Sequence, residues 1–224
     1  IVLNNHAVAI DNGRILAVLP TGEARARFNP DKQVSLADHI LIPGLINLHT
    51  HAAMSLMRGL ADDLPLMDWL QNHIWPAEAA HMSAQFVYDG TRLACAEMLK
   101  GGITCFNDMY FFPEAAAAAA SEYGMRAMLG ITALEFPTPY ASDADDYLNK
   151  GLAVREKWLH NPQIGFCLAP HAPYTVSDAA FERILTLSEQ LNLPVHCHIH
   201  ETRHEIDESQ RKYKCRPLDR LREL

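Results

Sequence analysis

The rhythm of apolar and polar positions changes near Pro43. Before it, apolar runs at residues 8–10 and 15–19 flank Asp11-Asn12-Gly13. Asn-Gly is a strong short hairpin signal, because both residues accept positive φ. Another apolar run, at 40–42, meets Pro43-Gly44. Residues 1–42 therefore read as the N-terminal part of a small β-sandwich domain, and residues 43–224 as a second region.

After Pro43 the order becomes strand, loop, helix, repeated. Short apolar strands are predicted at 45–48, 103–106, 127–131, 164–168 and 195–200. Between them, 83–100 has helical spacing (Phe86, Leu93, Met98) and stops at Gly101-Gly102. An alanine-rich helix at 114–123 ends at Gly124, and 143–159 reads as a further helix. Ser177 is a good N-cap for a helix to about residue 192, and Thr202 onwards looks helical and charged. About five βα units imply an α/β fold with a parallel sheet and helices outside it. A closed (β/α)8 barrel takes eight strands and about 250 residues. Five units thus fit either an open doubly wound sheet or part of a barrel. No G-x-G-x-x-G follows the first strand, which weakens the dinucleotide-fold option, and the P-loop pattern is absent.

Composition narrows the function classes. Acids outnumber bases 27 to 19, for a formal charge of −8, and no run of Lys and Arg offers a nucleic acid a basic patch. No stretch approaches the roughly 20 apolar residues of a membrane span. The five cysteines are odd in number and widely spaced, with no C-x-x-C. That argues against a disulfide framework or thiolate zinc site and points to a reducing, cytoplasmic setting. Twelve histidines stand out, since histidine is the commonest metal ligand.

Those histidines are grouped. His49-Thr50-His51 follows the first apolar strand of the second region, and residues two apart on a strand face the same way. Val195-His196-Cys197-His198-Ile199-His200-Glu201 puts three alternate histidines on one face of one predicted strand. Three unpaired imidazoles have no cheap structural explanation, because each has a polar nitrogen to satisfy. Parity alone leaves open which of them acts. Ala169-Pro170-His171-Ala172-Pro173-Tyr174 places another histidine at a strand end, on a stiff loop. In a barrel these strand ends form one rim, where such folds carry their sites. His6, His39, His73, His81 and His160 have no partner in sequence, and His204 and Glu205 read as a solvated helix face. His200 to His204 spells H-E-x-x-H, but a zincin motif must lie within a helix and His200 ends an alternating run. The H-x-E and P-C-x-x-C elements that mark one class of zinc enzymes do not occur.

Pro43-Gly44-Leu45-Ile46-Asn47-Leu48-His49-Thr50-His51 resembles the strand-one signature of the amidohydrolase superfamily. Asp63-Leu64-Pro65-Leu66-Met67-Asp68-Trp69-Leu70, Ile74-Trp75-Pro76-Ala77-Glu78, the His171 segment and His198-Ile199-His200-Glu201-Thr202 narrow the resemblance. It is to the 5′-methylthioadenosine/S-adenosylhomocysteine deaminases, close to triazine chlorohydrolases and guanine deaminases. The resemblance implies a (β/α)8 barrel, incomplete here, with one divalent metal ion, usually zinc and sometimes iron. It implies His49, His51 and His198 as metal ligands. Glu201 would be the catalytic acid/base at the substrate ring, Glu78 would contact ribose hydroxyls, and His171 the substrate. The activity implied is hydrolytic loss of ammonia from an adenine ring. The alternatives are another amino- or chloro-substituted heterocycle (guanine, cytosine, triazine) or a non-catalytic metal-binding relative. The expected partner is a small-molecule adenosine derivative, with no nucleic acid or membrane, and a homo-oligomer left open. The family also has a histidine after strand six and an aspartate after strand eight. Neither segment is in this chain, which reads as the N-terminal half of a longer enzyme.

Overall fold

A computed structural model describes residues 1–224. The chain divides into two compact units, Ile1–Pro43 and Gly44–Leu224. No helix is long and apolar enough to cross a membrane.

In the first unit, β1 (His6–Asp11) pairs antiparallel with β2 (Arg14–Pro20), with Asp11 opposite Arg14. Asn12 and Gly13 both take positive φ, 48° and 72°, which is the hairpin turn that Asn-Gly encodes. The rest departs from the expected β-structure. Helix α1 (Thr21–Arg27) follows β2, with Glu23 in its first turn and Arg25 and Arg27 in its last, charges that suit the helix dipole. Ile40, Leu41 and Ile42 form no strand and are exposed. In this unit β1 and β2 pair with each other, and the 40–42 run joins neither.

The second unit is an α/β layer. Strands β3 (Leu45–Thr50), β4 (Ile103–Asp108), β5 (Arg126–Ala133) and β6 (Ile164–Pro170) pair in parallel, in the order β3-β4-β5-β6. A doubly wound sheet reverses its strand order at a switch point. This strictly sequential order is that of a barrel, so the unit is an arc of a (β/α)8 barrel. Helices α4 (Ala84–Lys100), α5 (Pro113–Glu122), α6 (Ala144–Trp158) and α7 (Asp178–Leu191) alternate with the strands. Ser83, Asp143 and Ser177 cap α4, α6 and α7 by accepting a backbone N–H with their side chains. β6 is buried along nearly its whole length, as expected for a parallel strand covered on both faces.

The fifth predicted strand is corrected. Residues 195–200 contribute one bridge, Val195 to Leu168, and no strand. Their backbone does run beside β6, through His196 N–H to Leu168 O (2.8 Å) and His198 N–H to His171 O (3.0 Å). His200 turns at φ 57°, which breaks the alternation. Two further helices follow, α8 (Arg203–Tyr213) and α9 (Pro217–Glu223).

Between β3 and α4 the chain forms a 3-10 helix (Ala52–Met57), helix α2 (Leu66–Trp69), a π turn (Leu70–Ile74) and helix α3 (Trp75–His81). The 3-10 helix sits against α4 so closely that a Cβ on Gly90 would lie 2.4 Å from Ala53 O. That contact fixes the segment immediately after His51.

Candidate functional site

β3 ends in His49 and His51, and the neighbouring strand holds that end in place. Met109 N–H donates to Thr50 O (3.0 Å), and Ala52 N–H donates to Asp108 Oδ1 (2.7 Å). Asp108 is only 2% exposed, and burial pushes its carboxyl up to about 7. His51 Nδ1 lies 2.6 Å from Met109 O, and His198 Nδ1 lies 2.9 Å from His171 O. A carbonyl can only accept, so both rings carry their proton on Nδ1 and present a bare Nε2.

Those lone pairs converge. His49 Nε2 and His198 Nε2 are 3.2 Å apart, and one ligand atom from each of His49, His51 and His198 lies within 4.8 Å of the others. Burial, then the neighbouring imidazoles, lowers His49 to about 4. Burial also lowers His51, against the opposing effect of its bond to Met109. At neutral pH His49 and His51 are therefore uncharged; with His198 they face one point, where a cation would relieve the repulsion between their lone pairs. Three imidazole nitrogens with tied second nitrogens are a set suited to zinc and similar ions.

A cleft of about 310 Å3 opens beside this point, bordered by His51, His198, His171, Glu201, Glu78 and Tyr110 among others. A larger hollow, about 920 Å3, shares Leu66, Trp75, Phe136 and Tyr174 with it but touches none of the three histidines. Glu201 accepts from Tyr174 OH (3.2 Å). His171 Nδ1 is 2.9 Å from Thr175 Oγ1, whose hydroxyl donates to Ala172 O. Burial lowers His171 to about 3. Glu78 is buried on α3 and accepts from Tyr110 OH at 2.6 Å. Burial raises its carboxyl, and the Tyr110 bond partly offsets that rise. The structure thus brings His49, His51, His198, His171, Glu201 and Glu78 to one region.

Three placements differ from the sequence reading or add to it. His200 leaves the face shared by His196 and His198, and its Nε2 accepts from Leu218 N–H (3.4 Å). Glu205 is 4% exposed and not on a solvated face. Its carboxylate accepts from the backbone N–H of His200 (3.1 Å) and Glu201 (2.7 Å), while Thr202 Oγ1 accepts from Glu205 N–H (3.2 Å). The Thr202-x-x-Glu205 spacing is a capping-box signal that could have revealed it. Helix α8 begins only at Arg203, so His200 and His204 share no helical face and the zincin reading fails. Tyr110 was not anticipated, and nothing in the sequence spacing marks it.

Comparison with known proteins agrees with this geometry. Residues 40–224 match the Amidohydrolase family. A 5-methylthioadenosine/S-adenosylhomocysteine deaminase from Saccharophagus degradans is 50% identical over 97% of this chain and 49% of its own length. One from Thermodesulfovibrio yellowstonii is 45% identical over 100% of this chain and 51% of its own. The chain therefore spans about half the length of the curated relatives it matches. An adenosine deaminase from Xanthomonas campestris, solved with bound zinc, superposes with TM-score 0.95 at 52% identity, covering 99% of this chain and 50% of that one. An atrazine chlorohydrolase from Arthrobacter aurescens shares the fold at TM-score 0.86 and 20% identity, over 99% of this chain and 54% of its own. The matched span holds both histidines of β3, His171, His198 and Glu201, and on that evidence this chain belongs to the amidohydrolase family.

Proposed function

We propose that this chain is the first half of a metal-dependent deaminase acting on the adenine ring of 5′-methylthioadenosine or S-adenosylhomocysteine. The observation that carries this reading is the convergence of His49, His51 and His198 beside a cleft bearing Glu201, Glu78 and His171. The three histidines would hold a divalent ion, zinc by preference. Such an ion supplies a nucleophile from water near neutral pH. Glu201 would place a proton on the ring nitrogen next to the amine-bearing carbon, drawing electrons from that carbon. Glu78 would accept from ribose hydroxyls, and Tyr110 holds its carboxylate in place. His171 would meet the ring with Nε2, its Nδ1 being occupied by Thr175. The remaining ligands and the residue that moves the water proton would come from barrel segments beyond this chain.

The cleft wall that this chain supplies includes Leu66, Trp69, Leu70, Phe136, Pro137 and Pro139, with neither Lys nor Arg among its lining residues. That wall suits an apolar methylthio group better than a zwitterionic homocysteine tail. The test is ammonia release by the full-length protein from methylthioadenosine, adenosylhomocysteine and guanine, and chloride release from a chlorotriazine. We expect release from the adenosine compounds, fastest from methylthioadenosine. No ammonia from either would overturn the proposal.

A further inference from the structure

Each histidine that converges on the common point has its second ring nitrogen held. For His51 and His198 the holder is a backbone carbonyl. For His49 it is a side chain. His196 Nε2 lies 2.7 Å from His49 Nδ1, with ring centroids 5.0 Å apart and planes inclined by 20°. His196 is outside the converging group, and its Nδ1 is 3.3 Å from Asn107 Nδ2. We propose that His196 is a positioning residue. It accepts the Nδ1 proton of His49, fixes the tautomer and tilt of that ring, and so aims His49 Nε2 at the metal. The inference rests on the metal-centre reading above.

The proton placement closes. His49 offers a bare Nε2 only when Nδ1 carries the ring proton. That proton goes to His196 Nε2, so His196 keeps its own proton on Nδ1. As placed, Asn107 turns its amide nitrogen to His196 Nδ1 and its oxygen to the Cys167 thiol (3.7 Å); a 180° turn of that amide keeps its shape, lets the oxygen accept from His196 Nδ1–H and lets the nitrogen donate to the Cys167 sulfur. The physical need is local. A backbone carbonyl holds His51 and another holds His198, whereas His49 Nδ1 meets the His196 side chain. An imidazole without a holder samples both tautomers and several rotamers, and binding a metal must then order it.

The experiment compares the full-length wild type with H49A, H196A and H196Q. It reads zinc affinity by competition with a coloured chelator, alongside thermal melting of the metal-free protein. We expect H49A to lose zinc and H196A to weaken it by about 10- to 100-fold. H196Q, whose amide oxygen can accept the same proton, recovers most of the affinity with melting unchanged. If H196A does not fold, N107A keeps both imidazoles and weakens zinc several-fold. Zinc affinity in H196A (or in N107A, should H196A not fold) within twofold of wild type overturns the inference. So does H196Q binding as weakly as H196A. Unchanged zinc in H49A overturns the metal-centre reading together with this one, whereas loss in H49A alone overturns only the role of His196.

Discussion

At the scale of single residues, the proposed function separates groups that would hold the metal from groups that would work on the substrate. The Glu201 carboxylate accepts from Tyr174 OH, and no hydrogen bond joins it to the three converging histidines. Glu201→Gln should therefore keep zinc content by elemental analysis while turnover falls by about 10² to 10⁴. The Glu78–Tyr110 pair predicts a pH effect. Burial raises the Glu78 carboxyl, and Tyr110 OH, by bonding to it, holds that rise back. On the proposed function, Glu78 would accept from ribose hydroxyls in its ionised form, so KM for the nucleoside should climb as pH falls through the raised value. Tyr110→Phe removes the restraining bond, and the climb should begin at higher pH when KM is followed from about pH 8 to about pH 5. An identical KM profile in that variant would detach Glu78 from the ribose. His49 and His51 were legible in the sequence because alternation on a strand is local geometry. The Tyr110–Glu78 and His196–His49 contacts span 32 and 147 residues, and no local spacing encodes them.

At the scale of elements, caps and strand ends set the geometry. Glu205 ties the His200–Glu201 backbone to the start of α8 with two hydrogen bonds to one carboxylate. Glu205→Gln replaces one acceptor oxygen by a donor against a backbone N–H. Turnover should drop at least about tenfold through the displaced Glu201, with zinc affinity unchanged. Equal turnover in that variant would leave Glu205 a structural role only. Asp108 ties β4 to the 3-10 helix after His51. Its carboxyl, ordinarily near 3.8, sits at about 7 in the fold, so between those values the folded state holds a proton that the unfolded chain releases. This group's contribution to stability therefore declines as pH rises across that window and is flat above it. Asp108→Asn keeps an oxygen for Ala52 N–H and should flatten that decline in urea midpoints of the metal-free protein at about pH 4.5 and about pH 7.5. The helices and their caps were readable because capping and helical period are properties of neighbouring residues. The fifth strand was not, because only the Val195 bridge forms and the backbone turns left-handed at His200, and which backbone bonds form is not set by neighbouring residues.

At the scale of the whole molecule, the strand order and the open edge belong together. β3 leaves Leu45, Ile46 and Leu48 exposed, Leu48 to 72%, along an end strand of the sheet. Residues 1–224 produced alone should bind a hydrophobic dye, self-associate and bind zinc far more weakly than the full-length protein. A monomeric, dye-silent chain with full-length zinc affinity would contradict the half-barrel reading. The sequence by itself determined the hairpin at Asn12-Gly13, the alternation of strand and helix after Pro43, and the residue types carried at the strand ends. These follow from φ preferences and from periods of 2 and 3.6 residues, which act between neighbours. Only the tertiary structure decided that the strands run in sequential order and that His198 and not His200 faces His49 and His51. It also decided that His196 reaches back to His49. Those outcomes depend on which backbone bonds form between distant segments, and on a single left-handed turn at His200 that strand periodicity could not foresee.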